Sequence, residues 1–496
     1  MTIDFINDIL VINLYGRNDM EIKAEKARKI LLLVIAIAVP TAIFLIRDLD
    51  NDTWFMLNHG RYILKNGLYP EFEPFTVHEG LHFTFQKWLC CILFWVIYKY
   101  CGKLALKVFC LIVYLAFDIV MYKLLEYIRP KASTQHMFTL AVMNVFMGQF
   151  MFTRPQLFTY LFLAVEILVL EKYVKEHNVK LLAVIPLLSF LEIQIHSTIW
   201  PILLIYMLPY MFDFSFSAKV CKKVKVLNQT EYKKLPIWIA FFVSMLVALI
   251  NPYGFESIVY LVKSLNIKEL AVLIYEVRAP QFFSLNVLFI VLTIVFCLYG
   301  LHKSKATELR YVFFIGGTVL MAMMSTRQLS FLIIPAAMVF EYFYDFKEIK
   351  PFTKNILLII LCALMVVPIY DAYEKQVNIQ QYKVDVGDFL AEYVGNPKGV
   401  KVFNSSDEGS YLEFLGFKAF NDTRAEVFSD KINNKKNSLK DVIKFDWELV
   451  PYTEYIYQYD YKYVVVQKAY KKQCSAMNKD KNLKKIYSNR VYNVYE

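Results

Sequence analysis

The sequence predicts a multi-pass α-helical membrane protein of about eleven spans, followed by a small soluble α/β domain. Three observations support this fold class. The 496-residue chain is 57% hydrophobic and only 20% charged, with a mean hydropathy of +0.39, which is too apolar for a soluble or disordered protein. Long apolar runs fill residues 1–370. About 16% of that part is charged, against about 30% of residues 371–496, so we predict a membrane domain over 1–370 and a soluble domain over 371–496.

Apolar runs of roughly 17–25 residues are long enough to cross a bilayer as helices. The runs predicted as spans lie at about 30–47, 104–127, 135–152, 156–174, 179–196, 198–213, 235–250, 283–301, 309–325, 328–345 and 354–370. One further run, Trp88 to Tyr100, is apolar but only about 13 residues long, against the ~20 that a bilayer requires. Its placement decides the side on which every later loop lies.

The distribution of basic residues decides between the two placements of this run. If Trp88 to Tyr100 does not cross, most Lys and Arg residues fall in inner loops near 17–29, 129–131, 172–180, 219–234, 303–310 and 347–354. The outer loops after residue 127 then keep only Arg154, Lys263, Lys268, Arg278 and Arg327. Because basic residues stay on the cytoplasmic side, we predict that the run is an interfacial or re-entrant helix on the outer face.

This topology places the N-terminus in the cytoplasm and makes residues 48–103 a large first outer loop. An odd number of spans puts the C-terminal domain on the outer side of the cytoplasmic membrane. The basic inner loops also account for the formal net charge of +11, so no nucleic-acid partner is predicted.

The C-terminal part alternates short apolar runs with helical patterns, which is typical of a small α/β domain. Strands are predicted at 400–403, 418–420 and 463–466, helices at 386–393 and 439–445, and a hairpin within 485–495.

Acidic residues follow the first span directly, at Asp48, Asp50 and Asp52. A carboxylate at the outer membrane interface can act as a general base toward a hydroxyl or hold a divalent cation such as Mg²⁺ or Mn²⁺. The alternative is structural, because Asp52 or Thr53 is well placed to cap a helix that runs to Lys65.

Arginines stand at the outer start of two spans, Arg154 before Pro155 and Arg327. The unpaired N–H groups of a helix start favour an anion, and guanidinium binds phosphate in a bidentate manner, so both positions suit a phosphate. Arginines that extend to lipid phosphate at the interface are the alternative.

Other outer-face residues carry weaker signals. His196 lies at a turn between two closely joined spans, where a hydrogen-bonded turn residue is the alternative to a ligand. Glu276 and Arg278 could form an ion pair. The three histidines of the first outer loop, His59, His78 and His82, show no i,i+4 pairing, so they do not predict a metal site.

The sequence contains no glycine-rich phosphate loop, no serine nucleophile elbow, no His-Glu-x-x-His pattern and no nucleotide-binding fingerprint. ATP-driven pumping is therefore not predicted. What the residues do provide is a set of carboxylates and arginines at one face of a helical bundle. A carboxylate base with cations that neutralise a departing phosphate is what group transfer from a lipid phosphate requires.

Several short motifs occur in an order that resembles a known family. They are Asp50-Asn-Asp52-Thr-Trp54, Gly60-Arg61, Gly67-Leu-Tyr-Pro70, Glu73-Pro-Phe-Thr76, Trp88, Arg154-Pro-Gln156, His196-Ser, Asn251-Pro-Tyr-Gly254, Arg327-Gln, Asp407-Glu-Gly409-Ser-Tyr-Leu412 and Asp422-Thr-Arg424. The chain resembles bacterial membrane proteins of the GT-C glycosyltransferase superfamily, relatives of oligosaccharyltransferases, protein O-mannosyltransferases and aminoarabinose transferases.

The resemblance implies sugar transfer at the outer face from a polyprenyl-phosphate-linked donor to an envelope glycan, lipid or protein, with inversion at the sugar. It implies that Asp52 is the catalytic acidic residue, with Asp50 as second choice. Residues expected to contact the donor phosphate are Arg154, Arg327 and His196. Residues expected to contact substrate are Trp54, Arg61, Trp88, Glu276 and Arg278.

Two alternatives come from other classes of protein. A transporter or flippase of a lipid-linked saccharide also needs many spans and basic sites, and the acidic residues Asp118, Glu166 and Glu192 inside predicted spans favour it. A scaffold could use the tyrosine-rich stretch 452–463 to bind carbohydrate or protein.

Overall fold

The computed structural model describes the backbone of residues 2–214, 216–220, 223–227, 231–304, 306–405, 408–435 and 437–496. Side chains are described for the same ranges except 2–21, 216–220, 223–227 and 306. Parts of the predicted inner loop at 219–234, and Asp407 of the motif quoted above, lie outside the described residues.

Helices dominate the fold. In the described ranges the α-helices are α1 (Thr2–Ile46), α2 (Asn51–Asn66), α3 (Trp88–Ile128), α4 (Ser133–Met147), α5 (Gln156–Glu176), α6 (Val184–His196), α7 (Pro201–Met211), α8 (Leu235–Val247), α9 (Phe255–Leu265), α10 (Leu270–Leu273), α11 (Leu285–Lys303), α12 (Leu309–Met324), α13 (Leu329–Phe343), α14 (Pro351–Leu364), α15 (Val366–Lys375), α16 (Gln381–Val394), α17 (Gly409–Leu415), α18 (Asp430–Asn433), α19 (Ser438–Asp446), α20 (Thr453–Ile456) and α21 (Lys471–Met477).

Short 3₁₀ segments lie at Gly148–Phe150, Val179–Ala183, Tyr275–Val277, Thr326–Gln328, Phe346–Glu348 and Ala425–Phe428, and a π-helical turn lies at Gln376–Gln380. The strands are β1 (Phe216–Val220), β2 (Lys223–Leu227), β3 (Ala306–Thr307), β4 (Lys401–Asn404), β5 (Lys418–Ala419), β6 (Tyr463–Gln467), β7 (Lys485–Ser488) and β8 (Tyr492–Tyr495). The first three form a small sheet in the order β1-β2-β3.

Each of the predicted spans is largely helical. To within one residue, the spans at 30–47 and 104–127 lie within the longer helices α1 and α3, and the span at 354–370 covers most of α14 and part of α15. By length and composition, five helices in the described ranges are long and apolar enough to cross a membrane: Ile22–Ile46, Trp88–Ile128, Val179–His196, Leu285–Lys303 and Pro351–Val394. Three apolar helices are shorter: α7, α8 and α12. The mostly helical fold is therefore confirmed, and the number of helices that cross a membrane stays a prediction.

The Trp88–Tyr100 run forms the first part of α3, which bends at Gly102. Gly102 has φ 81° and ψ 179°, a conformation that glycine tolerates because it has no Cβ. At one end of the run, Trp88 donates from its indole to Gln194 at 3.1 Å. Just beyond the other end, Lys103 pairs with Asp48 at 2.9 Å. Asp48 precedes the run and lies at the start of the loop that leads to Trp88, so its contact with Lys103 supports a run that starts and ends on one side.

The C-terminal sheet confirms the predicted strands and hairpin. Its order is β5-β4-β6-β8-β7, in which β4 runs parallel to β5 and β6, and β8 runs antiparallel to β6 and β7. Both stretches predicted to be helical are helical: 386–393 lies within α16 and 439–445 within α19. The long helical segment from Pro351 to Val394 runs through residue 371, so the predicted domain boundary falls inside a helix.

The first outer loop and the C-terminal part pack closely together. Trp54 on α2 contacts Tyr411 and Phe414 on α17, with ring centroids 4.7 and 4.9 Å apart. The loop also adds to the edge of the C-terminal sheet, because Val77 donates its N–H to Ala419 at 2.9 Å. Because of this packing, residues of the C-terminal part lie next to the first outer loop, at the ends of the predicted spans.

Candidate functional site

Helix α2 begins at the acidic cluster, and its N-cap is Asp50. The Asp50 carboxylate accepts from the backbone N–H of Thr53 at 2.9 Å and from its hydroxyl at 2.7 Å. The prediction that Asp52 or Thr53 provides the cap is therefore wrong. The side chain of an N-cap residue accepts from the backbone N–H two or three residues later. Asp50 lies three residues before Thr53 and so fits this position, whereas Asp52 lies in the first turn of the helix.

Asp52 is thereby left to interact with charged groups. Its carboxylate lies 3.2 Å from Nη1 of Arg154, and its side chain is 20% exposed. Burial alone would raise the pKa of the carboxyl group. The positive charges of Arg154, Lys87 and Arg327 outweigh burial, so the pKa of Asp52 lies below its ordinary value of 3.8.

Arg154 is surrounded by carboxylates. Its guanidinium pairs with Asp50 at 2.5 Å and Asp52 at 3.2 Å, and lies 3.9 Å from Glu276. It also stacks on the ring of Phe152, 4.7 Å from the ring centroid. Burial disfavours its charge, but the neighbouring carboxylates dominate and the pKa of Arg154 is raised. The guanidinium stays charged and is held in one orientation.

Arg327 lies at the start of α13 and is more accessible. Its Nη2 pairs with Glu276 at 3.2 Å, and both side chains are 36% exposed. Its Nε is buried and has no hydrogen-bond partner among the described residues. The Arg327 side chain is 36% exposed against 14% for Arg154, so its guanidinium is more open to a ligand than that of Arg154.

These residues line a cavity of about 730 Å³. Asp52, Arg154, Glu276 and Arg327 are among its charged lining residues. Its apolar lining residues include Ile202, Leu261, Leu270, Met321 and Phe331. A cavity lined by both charged and apolar side chains suits a ligand that has an anionic head and a hydrocarbon chain.

Two predicted donor or substrate contacts, His196 and Trp88, are not among the residues that line the cavity in the described part of the chain. His196 is 3% exposed, and its Nδ1 lies 3.1 Å from the hydroxyl of Thr159. That contact fits the alternative interpretation of His196 as a hydrogen-bonded turn residue. Trp88 is held by its bond to Gln194.

Three other predicted contacts serve packing. Trp54 belongs to the aromatic contact between α2 and α17, and Arg61 donates to the carbonyl of Phe414 at 2.8 Å. Arg278 donates to the carbonyl of Ala271 at 2.7 Å, and its own carbonyl accepts from the N–H of Thr326 at 2.8 Å. None of the three is among the residues lining the cavity in the described part of the chain.

Sequence reasoning missed two contributors to the cavity. Lys87 lies just before α3 and over the ring of Phe55, 5.0 Å from the centroid. Residues 421–426 reach the cavity from the C-terminal part. The signal for that segment was present in the motif Asp422-Thr-Arg424, which was noted for resemblance and not as part of a site.

Arg424 fastens this segment to the first outer loop. Its guanidinium pairs with Glu73 at 2.9 Å, with Asp422, and with Glu413 at 3.6 Å. Glu73 in turn accepts from the N–H of Thr76 at 2.9 Å. All of these side chains are buried.

The acidic cluster does not fit a divalent cation. Within the described ranges no group of three or more His, Cys, Asp or Glu side chains is placed to hold a metal ion. Asp50 and Asp52 both pair with Arg154, which occupies the side of each carboxylate that a cation would need. We therefore assign no step to Mg²⁺ or Mn²⁺.

No protein-family model and no curated protein sequence matches the chain. Among solved structures, the chain is similar to AglB from Archaeoglobus fulgidus, an oligosaccharyltransferase, in complex with an inhibitory peptide and a dolichol-phosphate. The TM-score is 0.57 at 12% identity, over 90% of this chain and 70% of that chain. The same organism's oligosaccharyltransferase tethered to an acceptor peptide gives a TM-score of 0.55 at 11% identity, over 88% and 69%. The chain therefore has the fold of the GT-C glycosyltransferases, as the motif order had predicted.

Proposed function

We propose that this protein transfers a sugar from a polyprenyl-phosphate-linked donor to an envelope acceptor at the outer face of the bacterial cytoplasmic membrane. The observation that carries the proposal is the Asp52 carboxylate, ion-paired to Arg154 in a cavity shared with Arg327 and Lys87. A base beside cations is the arrangement that this transfer needs. The dolichol-phosphate and peptide bound to the archaeal structure support the classes of donor and acceptor.

The reaction is a single displacement. Asp52 accepts the proton of the acceptor nucleophile, whose oxygen or nitrogen attacks the anomeric carbon. The bond from that carbon to the phosphate oxygen breaks, and its electron pair leaves with the polyprenyl phosphate. Arg327 and Lys87 neutralise the charge that develops on the phosphate, and the attack from the opposite face inverts the anomeric centre.

The low pKa of Asp52 fits this role once the donor is bound. In the free protein the surrounding cations keep the carboxylate ionised but weaken it as a base. A donor phosphate between the same cations offsets their charge, which raises the proton affinity of Asp52. Asp52 is thus a stronger base when the sugar donor is bound.

The apolar lining of the cavity provides the place for the lipid. Ile202, Leu261 and Leu270 line the cavity from α7, α9 and α10. Ile205 of α7 and Leu265 of α9 also line it and are exposed, so apolar surface of these helices is accessible at the cavity. A polyprenyl chain can lie along this surface with its phosphate at the arginines.

The substitution Asp52→Asn tests the proposal. With purified protein and a set of undecaprenyl-phosphate-linked sugars, we expect sugar transfer to fall by at least about 100-fold, because a general base contributes 10²–10⁴-fold. Binding of undecaprenyl phosphate and the melting temperature should change little. Both are measured on the same preparation.

Asp48→Asn is the matched control, since Asp48 belongs to the same acidic cluster but pairs with Lys103. It should retain transfer. Full activity of Asp52→Asn would remove Asp52 from the mechanism. Movement of the intact donor across vesicles without transfer would instead favour the transporter.

A further inference from the structure

Glu276 occupies the place between the two arginines of the cavity. A single carboxylate oxygen of Glu276 lies 3.2 Å from Nη2 of Arg327 and 3.9 Å from Nη1 of Arg154. Two guanidinium groups that share one anion form the kind of site that binds phosphate. In the protein without ligand, the Glu276 carboxylate occupies this site.

Six charged groups at this site offset one another before any ligand arrives: Asp50, Asp52 and Glu276 are negative, and Arg154, Arg327 and Lys87 are positive. Arg47, which also lies near Asp50, is paired with Asp371, and the further lining residues Asp422, Arg424 and Glu426 add more negative than positive charge. An added phosphate makes the sum more negative. For a phosphate to bind, one carboxylate must therefore move away from the arginines. If none moves, the phosphate binds more weakly because the carboxylate repels it.

Of the three carboxylates, only Glu276 is free to move. Asp50 caps α2 and its side chain is 8% exposed, and Asp52 is 20% exposed, whereas Glu276 is 36% exposed. The backbone around Glu276 is fixed, because its carbonyl accepts from the Ser325 hydroxyl at 2.9 Å. The side chain can swing out while its backbone stays near the site.

We propose that Glu276 is a specificity-determining residue: its carboxylate yields the arginine site to a lipid phosphate but disfavours a phosphomonoester more than a phosphodiester. This inference rests on the proposed function, in which the donor is a phosphodiester and the lipid product is a monoester. The monoester carries close to two negative charges above neutral pH and the diester carries one. Glu276 therefore repels the product more strongly than the donor and promotes its release.

The test uses two probes that need no knowledge of the sugar. These are undecaprenyl phosphate and its methyl phosphodiester, with binding to the full-length protein in detergent measured at pH 8. Removing one repulsive charge with Glu276→Gln should tighten diester binding about threefold and monoester binding about tenfold, since the repulsion acts on twice the charge. In the unmodified protein the diester should bind at least as tightly as the monoester.

Glu256→Gln is the matched control. Glu256 lies in the same outer segment, is 45% exposed and pairs with His82 at 2.6 Å. It should change neither affinity. Equal tightening of both probes in Glu276→Gln, or no tightening, would overturn the proposal. So would an unmodified protein that binds the monoester tenfold more tightly than the diester. If no variant binds either probe, the lipid-phosphate site and the proposed function fail together, which is a different result.

Discussion

Two arginines of this protein each lie among three carboxylates, yet their surroundings differ. Arg154 meets Asp50, Asp52 and Glu276, whose side chains are 8%, 20% and 36% exposed. The carboxylates around Arg424 are 0–1% exposed. In each place, one arginine and three carboxylates thus form a cluster. The cluster around Arg154 is partly exposed and is called the open cluster; the cluster around Arg424 is buried and is called the sealed cluster.

The sealed cluster joins parts of the chain that are distant in sequence. Glu73 comes from the first outer loop, and Glu413, Asp422 and Arg424 come from the C-terminal part. Burial and the neighbouring Asp422 raise the pKa of Glu413, which favours its neutral form and so lowers the negative charge of the cluster. A buried, ion-paired cluster resists opening, while the open cluster can exchange one carboxylate for a ligand.

The largest expected effect is on the sealed cluster. Replacing Arg424 by Gln leaves buried carboxylates without their cation, which costs about 3–5 kcal/mol. We expect the free energy of unfolding to fall by that amount. The loop that carries residues 421–426 should also become sensitive to limited proteolysis.

Arg490→Gln is the control, because Arg490 is an exposed arginine of the same C-terminal part. A surface change of this kind alters stability by less than about 0.5 kcal/mol. Equal melting temperatures for the Arg424 and Arg490 variants would show that the buried cluster does not fasten the C-terminal part.

A smaller effect is expected from Glu73→Gln, and it should depend on pH. Burial would raise the pKa of Glu73, but the Arg424 charge and the hydrogen bonds of Thr76 outweigh burial and lower it from 4.5. Glu73 therefore stabilises the fold fully above about pH 4.5 and loses this contribution as the pH falls through its lower folded-state pKa. The variant should lose about 1–3 kcal/mol near pH 7.

Measuring unfolding between pH 3 and 7 checks the sign. The wild-type protein should lose stability toward low pH more steeply than Glu73→Gln, so the two curves converge in acid. Glu79→Gln in the same loop is the control, since Glu79 is exposed. Parallel curves for wild type and Glu73→Gln would contradict a lowered pKa for Glu73.

The helices and the C-terminal strands could be predicted because their signals are local. Apolar runs of the right length become helices, and the alternating runs at 400–403 and 463–466 become paired strands. The motif order predicted the fold for a different reason, through its resemblance to a known family. Of the motif residues, Asp52, Arg154 and Arg327 line one cavity.

What could not be predicted depends on contacts between distant segments. Capping by Asp50 instead of Asp52 follows from where α2 begins, a difference of two residues. Arg424 reaches the cavity because the C-terminal part packs on α2 and the first outer loop, and Lys87 reaches it from the first outer loop itself. Arg61 and Arg278 have the right charge for a phosphate, but nearby carbonyl groups take their donors.

The smallest effect on stability, and the sharpest contrast between the clusters, is expected for Arg327→Gln. Both members of its pair with Glu276 are 36% exposed, so solvent screens the attraction and the pair contributes only about 0–1 kcal/mol to folding. The affinity for undecaprenyl phosphate should nevertheless fall by at least about tenfold, because the partly exposed Arg327 guanidinium lines the cavity and can bind the phosphate. Calorimetric unfolding and lipid binding on one preparation measure both quantities. A variant that loses several kcal/mol of stability and binds the lipid as before would reverse the roles assigned to the two clusters, since Arg327 would then fasten the fold as Arg424 does.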